Sequence, residues 1–238
     1  MAQAPSATAG SSRPRPTPAD LEAARDTTIP DVLAPGLRVV FAGINPGLYS
    51  AATGHHFARP GNRFWPALHR SGFTPRQFRP DEQDQLLALG LGITNVAPRA
   101  TARAAELTPA ELRAGALELQ EKMARLRPQW LAVLGVTVYR TAFGHPDAVV
   151  GPQAAVIGLT RLWVLPNPSG LNAHWTPAAL AGEFARLRAQ ASGPPGPAGA
   201  GGARAPAAAG CRPGPGARSP RVVAPAPASA TYHAGRSP

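Results

Sequence analysis

The chain has 238 residues and a formal net charge of +11, and every basic side chain except Lys122 is an arginine. Its single cysteine, Cys211, excludes an internal disulfide framework, a cysteine-ligated zinc site and a four-cysteine iron–sulfur cluster. No window is apolar for long enough to span a membrane, and Met1-Ala2-Gln3-Ala4-Pro5 lacks the basic-then-apolar order of a secretory leader, so the sequence reads as cytoplasmic.

Residues 1–30 are rich in Pro, Ala, Ser and Thr, and 191–238 are rich in Pro, Gly and Ala. Neither segment buries enough apolar surface to offset chain entropy, so both are expected to be disordered. Between them, 31–190 has the size of one ordinary domain. A buried strand is predicted at about 37–43, then a long loop and a helix over about 62–71. An acidic helical turn near 80–89 precedes a strand near 92–96. Thr108-Pro109-Ala110-Glu111 is a capping box with proline at the first helical position, which starts a helix that stops before Pro128. Trp130–Leu134 reads as the next buried strand, Val136–Phe143 as a short helix ended by Gly144, and strands follow near 154–157 and 162–165. Thr176-Pro177 caps a final helix carrying Leu180, Phe184 and Leu187 on one face. Strands alternating with helices imply parallel pairing with helices on both faces, a three-layer α/β/α sandwich with a mostly parallel central sheet.

Charge placement narrows the chemistry. No Asp or Glu lies between Asp31 and Asp81, or between Asp147 and Glu183. A paired-carboxylate glycosidase or a carboxylate-bound metal is hard to build from such stretches. The first stretch carries Arg38, Arg59, Arg63, Arg70, Arg76 and Arg79, and reads as a surface that meets an anion. Arginine forks onto phosphate and stacks on bases, which favours a nucleic-acid partner. Compositional drift toward Arg, Ala, Gly and Pro is the competing account, most of all for the tail.

Two loops stand out. Gly43-Ile44-Asn45-Pro46-Gly47-Leu48 and Asn167-Pro168-Ser169-Gly170-Leu171-Asn172 each follow an apolar strand run. In an open α/β sheet, the crevice outside the carboxyl ends of the strands is where ligands bind. Pro46 has no N–H to donate, and no Gly-x-Gly-x-x-Gly pattern follows the first strand, which argues against a phosphate-cradling nucleotide site. His55 and His56 are adjacent and without a nearby carboxylate or cysteine, so no metal site is expected; a part in loop shape or phosphate contact suits them better.

These loops, together with Gly54-His55-His56-Phe57 running into Pro60-Gly61-Asn62-Arg63-Phe64-Trp65, resemble the mismatch-specific uracil/thymine-DNA glycosylase family of the uracil-DNA glycosylase superfamily over roughly Asp31 to Arg188. The resemblance implies a uracil-DNA glycosylase-like fold and a monofunctional enzyme of base-excision repair, associated with the nucleoid and acting as a monomer. Its implied partner is double-stranded DNA with G·U or G·T mismatches, from which it removes uracil, with thymine and ethenocytosine as further candidates. No cofactor is implied. A non-catalytic module that binds lesions or single strands is the alternative, and turnover dependent on Asn45 separates the two. Base excision requires extruding the nucleotide into a pocket, at a cost of a few kcal/mol that is least at a mismatch.

By resemblance, Asn45 is the catalytic residue that orients water; its alternative role is to open a turn. Phe57 matches the ring that stacks on the flipped base, against the alternative of a plain core aromatic. Backbone groups of Ile44 and Phe57 are implied to meet the base edge. Asn167 matches a second pocket asparagine, and Ser50 and Ala52 shape the pocket floor. Gly170 and Leu171 match a wedge that fills the gap in the duplex. Ala173 stands where relatives can carry an arginine, which leaves Asn172, His174 or Trp175 to meet the opposite guanine. Ser169, its backbone N–H and Arg63 are candidate phosphate contacts, although Arg63 suits a solvated helix position equally well. Lys122 lies mid-helix, far in sequence from both loops, so Schiff-base chemistry and strand nicking are not expected.

Overall fold

In a computed structural model the chain is described over residues 15–192. Five strands form one sheet in the order β2-β1-β3-β5-β4. They are β1 (Val39–Gly43), β2 (Leu91–Asn95), β3 (Trp130–Leu134), β4 (Gly151–Ile157) and β5 (Thr160–Leu165). All neighbours pair parallel except β4, which returns antiparallel along β5. Helices α1 (Pro18–Ala23), α2 (Leu48–Thr53), α3 (Phe64–Arg70), α4 (Gln85–Ala88), α5 (Pro109–Leu126), α6 (Val136–Phe143) and α7 (Pro177–Ala191) complete the chain, with 3-10 turns at Pro80–Glu82 and Ala104–Glu106. Among the described residues, no helix is long and apolar enough to cross a membrane.

Two cores lie on opposite faces of the sheet, because successive strand side chains alternate sides. Val39 and Phe41 of β1 join Trp130, Ala132 and Leu134 of β3 in packing against α3 and α7. Val40 and Ala42 join Leu131 and Val133 in packing against α5 and α6. This is the three-layer sandwich expected from the alternation of elements. Phe41 is fully buried at its centre, edge-on to Phe64 and Phe73 and stacked on Phe184 at 5.8 Å. A phenylalanine so placed contributes about 3–5 kcal/mol relative to alanine.

The structure departs from the sequence reading in three places. Residues 15–30, expected to be disordered, are ordered. Thr17 caps α1 in a capping box with Asp20, and the Asp26 N–H donates to Ala100 O at 3.0 Å. The segment then runs onto the outer edge of β2, where Val32 and Ile93 exchange two N–H···O bonds of 2.9 Å. Ion pairs of Arg99 with Asp26 and of Lys122 with Asp31 hold it down. Second, the long loop after β1 contains α2, whose left-handed C-cap is Gly54. Third, β4 begins at Gly151 rather than near 154, and its register shifts between Pro152 and Val156. Of the tail expected from residue 191, Ala191 ends α7 and Ser192 is its C-cap, and the rest lies outside the described residues.

The carboxyl ends of β1, β2, β3 and β5 emerge on one side of the sheet. The loop after β1 is held against the segment after β2 by three backbone bonds. The N–H groups of Val96, Ala97 and Thr101 donate to Gly43 O, Ile44 O and Pro46 O at 2.8, 2.8 and 3.1 Å.

Candidate active site

A cavity of about 160 Å³ opens where these loops meet. Asn45, Asn62, Asn95 and Asn167 contribute to its lining, Phe57 and Ile44 supply apolar surface, and among the described residues no carboxylate or lysine lines it. Such a lining suits a flat, uncharged, hydrogen-bonding ring. It supplies no strong base.

Asn45 is oriented by acceptors that leave no choice of amide direction. Its Nδ2 donates to Arg99 O at 2.8 Å, and a backbone carbonyl can only accept. The second amide hydrogen goes to Thr101 Oγ1 at 2.7 Å, and the single Thr101 hydroxyl proton goes to Arg103 O at 2.9 Å. Among the described residues no donor meets Asn45 Oδ1. That oxygen is therefore fixed in place and available to accept from a water molecule. The turn-capping alternative is not seen, because no backbone N–H among the described residues donates to the Asn45 side chain. Thr101 was not singled out in the sequence, because nothing local marks a threonine that lies 56 positions from its partner.

Phe57 sits at φ +54, a backbone region that a bulky residue adopts at a cost of roughly 1–3 kcal/mol. The surrounding loop enforces it: the His56 N–H donates to Gln83 Oε1 at 2.8 Å and the Ala58 N–H to Ser50 Oγ at 3.1 Å. The Phe57 ring stacks on Phe64, centroids 4.0 Å apart, and lines the cavity. One ring thus both packs on the core and lines the cavity. Ser50 belongs to the cavity lining, with its hydroxyl committed to the loop, whereas Ala52 is not brought to the lining.

Asn95 is a second residue that sequence reasoning missed. His56 is almost wholly buried, and its Nε2 lies 2.9 Å from Pro30 O, so Nε2 carries the proton and Nδ1 accepts. Nδ1 faces Asn95 Nδ2 at 3.4 Å, which turns the Asn95 oxygen toward β1. Burial pushes the His56 pKa below its ordinary value, only partly offset by Pro30 O and the Asp31 carboxylate, so the ring is a neutral positioning group. Gly43 makes room for this arrangement. A Cβ there would lie 2.6 Å from Asn95 Oδ1 and 3.2 Å from the Phe57 ring.

The loop after β5 is wired through its own backbone. Asn167 Oδ1 accepts from Ser169 N at 3.0 Å, the turn considered from sequence, while the residue also lines the cavity. The Ser169 N–H is thereby occupied and does not face outward as a phosphate contact. Asn172 spends its amide within the loop, donating to Asn167 O and accepting from His174 N, so it does not reach out toward an opposite base. Gly170 packs on the neighbouring turn, where a Cβ would meet Gly61 O at 2.6 Å. Leu171 stands at the tip, 79% exposed.

Arg63 is neither a phosphate contact nor a solvated helix residue. Its backbone N–H donates to Pro168 O, Nη1 to Trp175 O at 2.5 Å, and Nη2 to Ser169 O and Asn172 O at 2.7 and 2.8 Å. The guanidinium latches the exposed loop to the start of α3 from behind. The sequence could not show this, because the fork reaches across more than a hundred residues. Other arginines of the 38–79 stretch are also committed: Arg38 to Leu89 O, Arg76 to Glu82 and Arg79 to Asp81. The Arg76 fork and the Arg79 N–H hold the Glu82 carboxyl down at about 2. The side chains of Arg59 and Arg70 have no hydrogen-bond or ion partner among the described residues. Nor do three His, Cys, Asp or Glu side chains converge there as a metal ion would need.

The family model described as the uracil DNA glycosylase superfamily matches residues 30–188. Among solved structures, the chain is similar to the solution NMR structure of a candidate uracil DNA glycosylase from Methanosarcina acetivorans. The two are 16% identical with a TM-score of 0.47, over 68% of this chain and 98% of that one.

Proposed function

Because the chain belongs to the uracil DNA glycosylase superfamily, a class of hydrolytic enzymes that act on DNA, we propose that it is a monofunctional, mismatch-specific glycosylase that hydrolyses the N-glycosidic bond of uracil opposite guanine in double-stranded DNA. Thymine and ethenocytosine opposite guanine are further substrates to test. The enzyme works as a monomer on the chromosome in the cytoplasm, in base-excision repair.

One observation carries this reading: Asn45 Oδ1, fixed by Arg99 O and Thr101 Oγ1, at the edge of a carboxylate-free cavity floored by an aromatic ring. A flipped pyrimidine stacks on Phe57, and the amides of Asn95 and Asn167 lie within the lining to read its edge. Asn45 holds a water for attack on the sugar carbon as the base departs. An amide takes up no proton, so the water is positioned rather than deprotonated. Most of the rate enhancement must then come from stabilising the leaving base, which fits a slow enzyme. Leu171 enters the duplex from the loop tip to fill the space the nucleotide leaves. With the Asn172 side chain committed, His174 or Trp175 is left to meet the opposite guanine. Lys122, the sole lysine, is paired with Asp31 and absent from the cavity, which supports hydrolysis without strand nicking.

The test is duplex cleavage after alkali, with U opposite G, U opposite A, T opposite G and single-stranded U, run beside Asn45→Ala. Cutting of G·U only after alkali, lost in Asn45→Ala with DNA binding retained, is the expected result. Tight binding of mismatched DNA without any cutting would make the chain a lesion-binding module instead.

A further inference from the structure

Arg59 lies where three hollows meet. It lines the base cavity, a hollow of about 280 Å³ under the tip at Gly170 and Leu171, and a groove of about 530 Å³ that runs along α3 past Arg70. Among the described residues, no carboxylate lines any of the three. The side chain is exposed and has no hydrogen-bond or ion partner among the described residues, unlike Arg38, Arg63, Arg76 and Arg79. Its backbone is fixed by Pro60 and by the Asn62 N–H, which donates to Arg59 O at 3.0 Å.

We infer that Arg59 grips a backbone phosphate flanking the flipped nucleotide, and that the strand continues from there into the groove beside α3. The inference rests on the glycosylase reading of the base cavity. With a base in that cavity and Leu171 in the gap it left, the sugar–phosphate chain must cross the rim between the two, and Arg59 stands on that rim. A guanidinium there presents a planar fork to two phosphate oxygens, with no competing acid to draw it away. The phosphate-gripping role considered for Arg63 thus passes to Arg59, four residues earlier.

A cycle of changes on both partners tests this. A G·U duplex carries a single neutral methylphosphonate, placed in turn at the linkage on each side of the uridine. It is combined with wild type, Arg59→Gln and Arg59→Lys. At one of the two linkages, Arg59→Gln and the neutral linkage should each lower kcat/KM by about tenfold, and together no further than either alone. Arg59→Gln should also reduce the slope of log Kd against log salt by about one on unmodified DNA. Arg59→Lys should recover the slope but only part of the rate, since a point charge lacks the fork. Melting should be unchanged, because the Arg59 side chain has no bond to lose among the described residues. Losses that add at both linkages, or an Arg59→Gln variant that matches wild type, would overturn the inference. If wild type shows no turnover at all, the glycosylase reading fails separately. The same cycle is then read on Kd, where additivity at both linkages still refutes the grip and its absence at one linkage supports it.

Discussion

Replacing Arg63 by glutamine should release the 168–175 loop from α3 while leaving the walls of the base cavity standing. Three guanidinium bonds are lost, to Trp175 O, Ser169 O and Asn172 O. Bonds to a charged donor contribute about 1.5–3 kcal/mol apiece at most. The freed carbonyls sit on a partly exposed loop and recover water once it lets go, so the net loss should be about 2 kcal/mol. For a domain of this size that is a fall in melting temperature of about 4–8 °C. The salt dependence of binding to a G·U duplex should not change, because the guanidinium is committed to loop carbonyls. Arg63→Lys should melt nearly as low as the glutamine variant, as an ammonium cannot satisfy three spread carbonyls. Calorimetry and a salt titration of Kd decide the matter. If Arg63→Gln melts like wild type and its salt slope drops by about one, Arg63 contacts phosphate after all and the latch is wrong.

Three further outcomes follow from the site's geometry. Thr101→Val keeps the side-chain shape but removes the acceptor for the second Asn45 amide hydrogen, so single-turnover kcat should fall about tenfold with KM little changed; an unaltered kcat would show that Thr101 does not position Asn45. Leu171→Ala should leave stability within about 0.5 kcal/mol, as the side chain is largely exposed, while base extrusion followed by 2-aminopurine fluorescence weakens severalfold; normal extrusion would remove Leu171 from the wedge role. His56, buried and neutral, has a folded pKa below the ordinary 6.5 that applies to the unfolded chain. Its stabilisation is complete above about 6.5 and lost as pH falls toward the folded value, because only the unfolded chain then gains the proton. Urea midpoints measured between pH 7.5 and 5 should fall on the acid side in wild type and less in His56→Gln, and equal slopes would assign the effect elsewhere.

The strands and the longest helix were legible because their signals are local. Val39-Val40-Phe41 and Trp130–Leu134 are short apolar runs closed by glycine, and Thr108-Pro109-Ala110-Glu111 both satisfies the helix-start rule and starts α5. The same rule fits Thr17-Pro18-Ala19-Asp20, but the surrounding Pro- and Ala-rich composition outweighed it, although the caps of α1 and α5 have the same geometry. Helix α2 was missed because its N-cap is Gly47, which offers no side-chain bond, and six residues give too little periodicity. In β4 burial alternates along the whole strand, but its first residues, Gly151-Pro152-Gln153, carry no apolar signal. At the site, the motif blocks led to Asn45, Phe57 and Asn167. Asn95, Thr101 and the true direction of Arg63 depend on bonds between elements remote in sequence, which no local pattern records.

The two borders of the sheet have a bearing on how copies of this chain treat one another. An unpaired strand is a template on which a stray strand can add. On the β2 side, Val32 already occupies the mid-strand donors and acceptors of Ile93, and the ion pairs of Asp26 and Asp31 hold it there. On the β4 side, Pro152 withholds a donor and the bulge breaks the repeat a guest strand would need. Ribbon-like polymerisation of the folded protein is therefore disfavoured at both borders. The protection on the first border is removable, since it depends on a strap of residues that any clip between α1 and Val32 would free.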